Sequence, residues 1–178
     1  MINSILLQAL CDLDDWLIQN KLSIDLQIIG GIALHLHKID ILRATMDIDL
    51  ANQILDLAII HRIREIGRGH GLDETWIESP GVPLPRGSKF LFHEFFNGFK
   101  NISVTFLDLD SLILTKIAAY YDRKHIQTSD VTDIEAIIKS GGVFNYEVLN
   151  RGIQFIRETR RINEQRIDEV VRDLRELI

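Results

Sequence analysis

Apolar residues near the start of the chain recur at three- and four-residue intervals: Ile5, Leu6, Ala9, Leu10, Leu13, Trp16 and Leu17. That spacing places them on one stripe of a helix, so residues 4–19 are predicted to be helical with one buried face. The pattern then changes. Ile24 to Ile29 reads as a strand running into Gly30-Gly31, Ile32 to Lys38 as a short helix, and Thr45 to Leu50 as a second strand. Helical spacing returns from Gln53 to about Arg68 and stops among Gly67, Gly69 and Gly71, where the chain can leave a helix. All three prolines, Pro80, Pro83 and Pro85, fall within 78–88, which is predicted to be a loop.

Phe90 to Phe96 and Ile102 to Leu107 are rich in aromatic and β-branched residues, with Asn97-Gly98 between them, and predict an antiparallel hairpin. From Leu109 onward the chain reads as helices over about 109–125, 130–139, 145–159 and 163–177, with Gly141-Gly142 separating the second from the third. Ile167, Val170, Val171, Leu174 and Ile178 share one face of the last helix, which should dock on the rest. Strands come first and helices last. The expected class is α+β: residues 1–108 form an α/β core with a short mixed β-sheet flanked by helices, and 109–178 a C-terminal helical bundle packed on it as one compact unit.

Length and composition narrow this further. At 178 residues and 46% hydrophobic, the chain can bury one proper core but has no room for a second catalytic domain. The apolar runs Leu55–Ile60 and Ser111–Ala119 are broken by Asp56 and Lys116, far short of the roughly 18 residues of a membrane span. No basic residue precedes the apolar N-terminal stretch, which argues against a secretory signal and for a cytoplasmic protein with no membrane partner. A net charge of −6 argues against broad binding of nucleic acid. Arg62-Arg64-Arg68 and Arg157-Arg160-Arg161 are interleaved with acids or apolar residues at helical spacing, as solvated helix faces are.

Most candidate chemistry is weak. The lone Cys11 sits in the apolar-periodic first helix and is expected to be a buried, inert thiol. His35 and His37 lie two apart on a predicted helix, so they cannot pair on a metal; one should be packed and the other exposed. No Gly-x-Ser-x-Gly, Walker lysine loop or Cys/His cluster supports a serine hydrolase, a P-loop NTPase or a zinc site.

Asp47 and Asp49 stand apart from this background. Two residues apart on a strand, they project from one face while Ile48 and Leu50 turn toward a core. Like charges held that close repel unless a cation lies between them. Hard oxygen ligands in this number suit Mg²⁺, with Mn²⁺ as an alternative, leaving other positions to water and substrate phosphates. Gly30-Gly31, at a strand-to-helix junction, leaves room for a triphosphate to approach backbone N–H groups.

Together these residues resemble a known signature. Ile29-Gly30-Gly31, fifteen residues, then Asp47-Ile48-Asp49 is similar to the nucleotidyltransferase superfamily that includes DNA polymerase β. The fuller string, with Ala33, His35, Arg43, Thr45 and Leu50, resembles the minimal nucleotidyltransferases that include the abortive-infection toxins of type IV toxin–antitoxin systems. Downstream, Asp110, Leu112, Lys116, Ala119, Arg123, Asp130, Asp133 and Ile134 resemble that family's helical motif, so the likeness spans about residues 28–135.

The resemblance implies a nucleotidyltransferase fold and Mg²⁺-dependent transfer of a nucleoside monophosphate from an NTP to a hydroxyl on RNA or protein, with a cognate antitoxin as a partner. It implies Asp47 and Asp49 as metal ligands, and Gly30, Gly31, Arg43 and Lys116 as nucleotide contacts, with Arg123 and Asp130 joining or bracing the site. Thr45 is read as orienting the entry to the strand through a local hydrogen bond. The family's third carboxylate falls by strand alternation on Thr105, which cannot act as a base near neutral pH. Asp108 is the nearest acid, but it points to the opposite face of a regular strand. Either a bulge turns Asp108 inward or the carboxylates number two. The second case leaves as alternatives a member that binds nucleotide or a protein without turnover, and a purely structural module with Asp47 and Asp49 solvated.

Overall fold

The computed structural model describes residues 3–41, 45–93, 96–123 and 129–178. They form an α+β fold of seven helices and two small sheets. Helix α1 (Ser4–Asn20) opens at Asn3, whose side chain accepts the Ile5 N–H, and buries Leu6, Ala9, Leu10, Leu13 and Leu17 of the predicted stripe, while Trp16 is half-buried and Ile5 is exposed. Cys11 corrects its prediction: it follows Leu10 by about 100° of helical turn, off the buried stripe, and is exposed. Such burial as it has, then Asp15, Asp12 and Asp14, hold its thiol above the ordinary value, so it stays protonated and unreactive.

Strand β1 (Ile24–Ile28) leads into α2 (Gly30–Leu36), which starts at the glycine pair itself. Strand β2 (Ile48–Asp49) is shorter than predicted, because Thr45, Met46 and Asp47 precede it without pairing as strand. Helix α3 (Leu57–His70) begins four residues later than its apolar pattern suggests: the Asp56 carboxylate accepts the Ala58 and Ile59 N–H groups and sets the start there. Gly71, at φ +70°, ends it.

A strand that the pattern does not predict follows, β3 (Ile77–Glu78), parallel to β2 with Asp49 opposite Glu78. Strands β4 (Phe90–Phe92) and β5 (Ile102–Leu107) pair antiparallel as in the predicted hairpin, but β4 stops at Phe92, and His93 and Phe96 of the predicted strand are outside it; residues 94–95 lie outside the described residues. The sheet β1-β5-β4 is mixed, since β1 runs parallel to β5. A bridge between Ile28 and Leu50, flanked by Ile29 N–H to Asp49 O at 2.9 Å and Ala51 N–H to Gln27 O at 2.8 Å, hooks the β2–β3 ribbon onto β1.

Helices α4 (Leu109–Arg123), α5 (Ser129–Lys139), α6 (Tyr146–Thr159) and α7 (Glu164–Arg175) form the C-terminal bundle. Helix α4 packs on α5, α6 and α7 and is buried almost all round, so its side chains are apolar or internally paired. Gly152 on α6 permits the close crossing, since a Cβ there would come 2.5 Å from Ile117 Cδ1. Ile167, Val170 and Leu174 bury the apolar face of α7, while Ile178 remains exposed. Helix α2 touches both α4 and α5, and so sets the glycine pair against the bundle. Among the described residues no helix is long and apolar enough to cross a membrane.

Candidate functional site

The loop from β1 to α2 turns at Gly30, whose φ of +69° is a conformation that L side chains rarely adopt. The same glycine has a second constraint. A Cβ on Gly30 would collide with the Asp49 carboxylate, whose Oδ2 fills that space. The close approach follows from the backbone: Ile29 N–H donates to Asp49 O, so the residue after it in β1's path lies beside the end of β2. Ile48 and Leu50 are each 1% exposed and anchor β2 in the core, which turns Asp49 outward.

A pocket of about 330 Å³ opens here, between α2, the approach to β2, the end of β3 and one face of α4. Its walls bring together Gly30, Gly31, Thr45, Asp47, Asp49, Lys116 and Arg123, residues drawn from three separate stretches of sequence. Arg43 falls outside the described residues. Asp130 does not line the pocket but stands behind it. Its carboxylate receives Arg123 Nη2 at 2.8 Å and Nε at 3.2 Å, and lies 3.4 Å from Lys116 Nζ. Lys116 Nζ also meets Asp133 Oδ2 at 2.6 Å. Both cations are thus held in place by α5, and an ammonium with three donors keeps one beyond these two carboxylates.

Burial first, and then the charge of Asp47, push the Asp49 carboxyl above the usual carboxylate range. Lys116 and Arg123 act in the opposite direction but are outweighed, and Glu78 adds to the upward push. Uncompensated negative charge on hard oxygen donors is what a divalent cation relieves, so Asp47 and Asp49 fit Mg²⁺ in number and in chemistry. Among the described residues no group of three or more His, Cys, Asp or Glu is arranged to hold a metal ion.

Two features of the pocket depart from the sequence reading. Thr45 is buried, yet its Oγ1 has no hydrogen-bond partner among the described residues, so the local bond expected of it is not made. A buried hydroxyl left so costs about 1–3 kcal/mol unless something in the pocket meets it. Glu78, exposed at the pocket wall and opposite Asp49, is an acid that sequence reasoning missed. Residues 72–77 alternate too briefly to announce a strand, and without β3 nothing connects Glu78 to Asp49. Its one sequence signal is Trp76-Ile77, an apolar pair directly before an acid.

Thr105 and Asp108 stand elsewhere. Thr105 is paired with Gln27 and Phe92 inside the β1-β5-β4 sheet and does not line the pocket. Asp108 is occupied as a structural cap: its carboxylate accepts the Lys89 N–H at 2.7 Å and the Ser111 N–H at 3.0 Å, tying β4 to the start of α4. Burial works against its ionisation, but the Lys89 and Ser111 N–H bonds, with the Ser111 side chain and its own backbone N–H, prevail and hold it below the usual carboxylate range.

The remaining candidates have partners within the fold. His37 and His35 are both half-buried, so neither is exposed; His37 Nε2–H donates to Leu107 O at 2.8 Å and its ring stands edge-on to Phe106. The basic clusters have acidic neighbours, as in Arg62–Glu65 at 3.2 Å, Arg157–Glu164 at 2.9 Å and Arg160–Asp122 at 3.1 Å. No protein-family model, no curated protein and no solved structure matches the chain.

Proposed function

We propose that the protein is a nucleotidyltransferase that moves a nucleoside monophosphate from an NTP to a hydroxyl acceptor. The observation that carries this reading is the meeting of Gly30, Gly31, Asp47, Asp49, Lys116 and Arg123 in one pocket, where burial and then the charge of Asp47 hold the Asp49 carboxyl above the usual carboxylate range. Asp47 and Asp49 hold the cation. Bound there, Mg²⁺ or Mn²⁺ neutralises the phosphates and stabilises charge that builds on them. Gly30 and Gly31 present no side chain to the triphosphate, and the braced Lys116 and Arg123 take up its remaining charge. Thr45 Oγ1 offers a hydrogen bond to an occupant of the pocket. The sequence resemblance extends the proposal to a toxin restrained by a cognate antitoxin.

A second reading is favoured by one observation: neither Thr105 nor Asp108 presents a third carboxylate, and no three-acid metal group exists among the described residues. In that reading the pocket binds NTP without turnover. Incubation with α-labelled NTP, Mg²⁺ and cell extract separates the two. The transferase reading predicts label on an acceptor, lost when Asp47→Asn and Asp49→Asn are combined. Unchanged labelling by the double variant overturns it, and calorimetric NTP·Mg²⁺ binding without labelling selects the second reading.

A further inference from the structure

Glu78 lines the pocket of Asp47 and Asp49 without a part in holding the cation or the triphosphate. The parallel register of β2 and β3 sets it beside Asp49, one strand spacing of about 4.8 Å away and on the same face of the ribbon. It is exposed at the pocket wall, and its side chain makes no ion pair or hydrogen bond among the described residues. Nor does it complete the cation site, since among the described residues no group of three or more His, Cys, Asp or Glu is arranged to hold a metal ion. A carboxylate accepts hydrogen bonds and donates none, and it repels phosphate. What it can take from an occupant is a neutral donor.

The pocket divides its charge between walls. Lys116 and Arg123 stand on α4, and Glu78 on β3. Past Glu78 the β3 wall turns apolar: Pro80 and Val82, two and four residues on, line the same pocket, whereas the intervening Ser79 lines the neighbouring one under α3. Val82 is partly buried and packs on the core, which fixes its place. An acid beside the cation site, followed by two aliphatic residues, matches the order of parts in a nucleotide: phosphate, then sugar, then base.

We propose that this wall binds the nucleoside half of the NTP: the Glu78 carboxylate accepts hydrogen bonds from the ribose 2′- and 3′-hydroxyls, and Pro80 and Val82 lie against the base. The inference rests on the transferase reading and adds which sugar that site takes, ribose over 2′-deoxyribose. Gly30, Gly31, Lys116 and Arg123 hold the phosphate end, so the sugar bonded to the α-phosphate is the next part of the molecule beside Asp49. Its vicinal hydroxyls are neutral donors, and an acid holds the ribose 2′-hydroxyl in dinucleotide-binding folds for the same reason. Glu78 is thus a specificity-determining residue, and it stays clear of the reacting phosphorus.

The test measures calorimetric binding of the four common NTPs and their 2′-deoxy forms, each with Mg²⁺, to the full chain and to Glu78→Ala. The wild type is expected to bind the ribose form at least about tenfold more tightly, the worth of one hydrogen bond to a charged group. In Glu78→Ala the two forms should come within about twofold of each other. The ratio is the readout, because the lost negative charge acts on both triphosphates alike and cancels in it. A wild type that does not distinguish the two sugars overturns the assignment and leaves the transferase reading standing. A preference that survives in the variant does the same, including one in which both forms weaken by an equal factor, as they would on loss of a cation ligand. A second readout does not depend on the variant: isotope-filtered NOE spectra of the wild type saturated with NTP·Mg²⁺ should connect the Val82 methyls to H1′ or base protons. Bound NTP without those NOEs overturns the placement of the nucleoside. Failure of the wild type to bind any NTP·Mg²⁺ overturns the transferase reading, and the sugar assignment with it.

Discussion

The Asp49 carboxylate occupies the space that a Cβ on Gly30 would fill. The glycine therefore serves the acid as well as the turn, and Gly30→Ala is expected to act twice. A left-handed alanine costs about 1–2 kcal/mol, and the added methyl drives the carboxylate from its position. If a charge-assisted contact of about 1.5–3 kcal/mol is lost, NTP·Mg²⁺ binding weakens by about tenfold or more. Calorimetry on the folded variant checks this; wild-type affinity would mean that the close approach does not position Asp49.

Asp49 also makes a pH prediction. Its folded value lies above the unfolded value, so its contribution to stability is complete below about pH 4 and is lost as pH rises through the raised folded value. Asp49→Asn removes that loss. At neutral pH without divalent cation the variant should be more stable by about 0.5–2 kcal/mol, as when strain at a functional site is relieved. Mg²⁺ should raise the wild-type Tm and leave that of the variant unmoved. Melting curves at pH 4 and pH 7, with and without Mg²⁺, read all three effects.

Asp108 is predicted to matter for stability alone. Asp108→Ala removes the acceptor for Lys89 and Ser111 N–H groups and should cost about 1–2 kcal/mol, a Tm decrease of about 2–8 °C. Because its folded value is depressed, this contribution is present above the unfolded carboxylate range and is lost as pH falls through the folded value. Labelling by the folded fraction should match the wild type. A folded variant without activity would return Asp108 to the catalytic group.

The Lys116 ammonium is buried, 2.6 Å from Asp133 and 3.4 Å from Asp130. Asp133→Ala leaves that charge short of a partner and should cost about 3–5 kcal/mol, whereas Lys116→Met together with Asp133→Leu should recover much of the loss. The recovered double variant should fold and still fail to bind NTP. Denaturant titration and calorimetry, run on the same samples, separate the bracing of α4 on α5 from the pocket's need for a cation.

How much of this was legible in the sequence depends on the range of each signal. Helical stripes such as Leu6, Ala9, Leu10, Leu13 and Leu17 span several turns, and they located α1 and the four C-terminal helices within a few residues. The glycine pair and Asp47 and Asp49 could be tied together because they flank one short helix. Glu78 could not. Its relation to Asp49 is a tertiary pairing of two two-residue strands, too short for any alternation to register. Cys11 shows the converse error, since an apolar-looking residue in an amphipathic helix faces the core only if its angle matches the stripe. The sequence leaves Asp108 as the nearest acid, on the opposite face of a regular strand, and its capping bonds to Lys89 and Ser111 are tertiary and local contacts that no spacing announces.

The most direct test of the central claim places the label at one end or the other of the triphosphate. With Mg²⁺, wild-type protein and cell extract, α-labelled NTP should yield a labelled acceptor, γ-labelled NTP should yield labelled pyrophosphate, and the Asp47→Asn, Asp49→Asn double variant should give neither. Transfer of the γ label to the acceptor, or α labelling that survives in the double variant, would contradict the account.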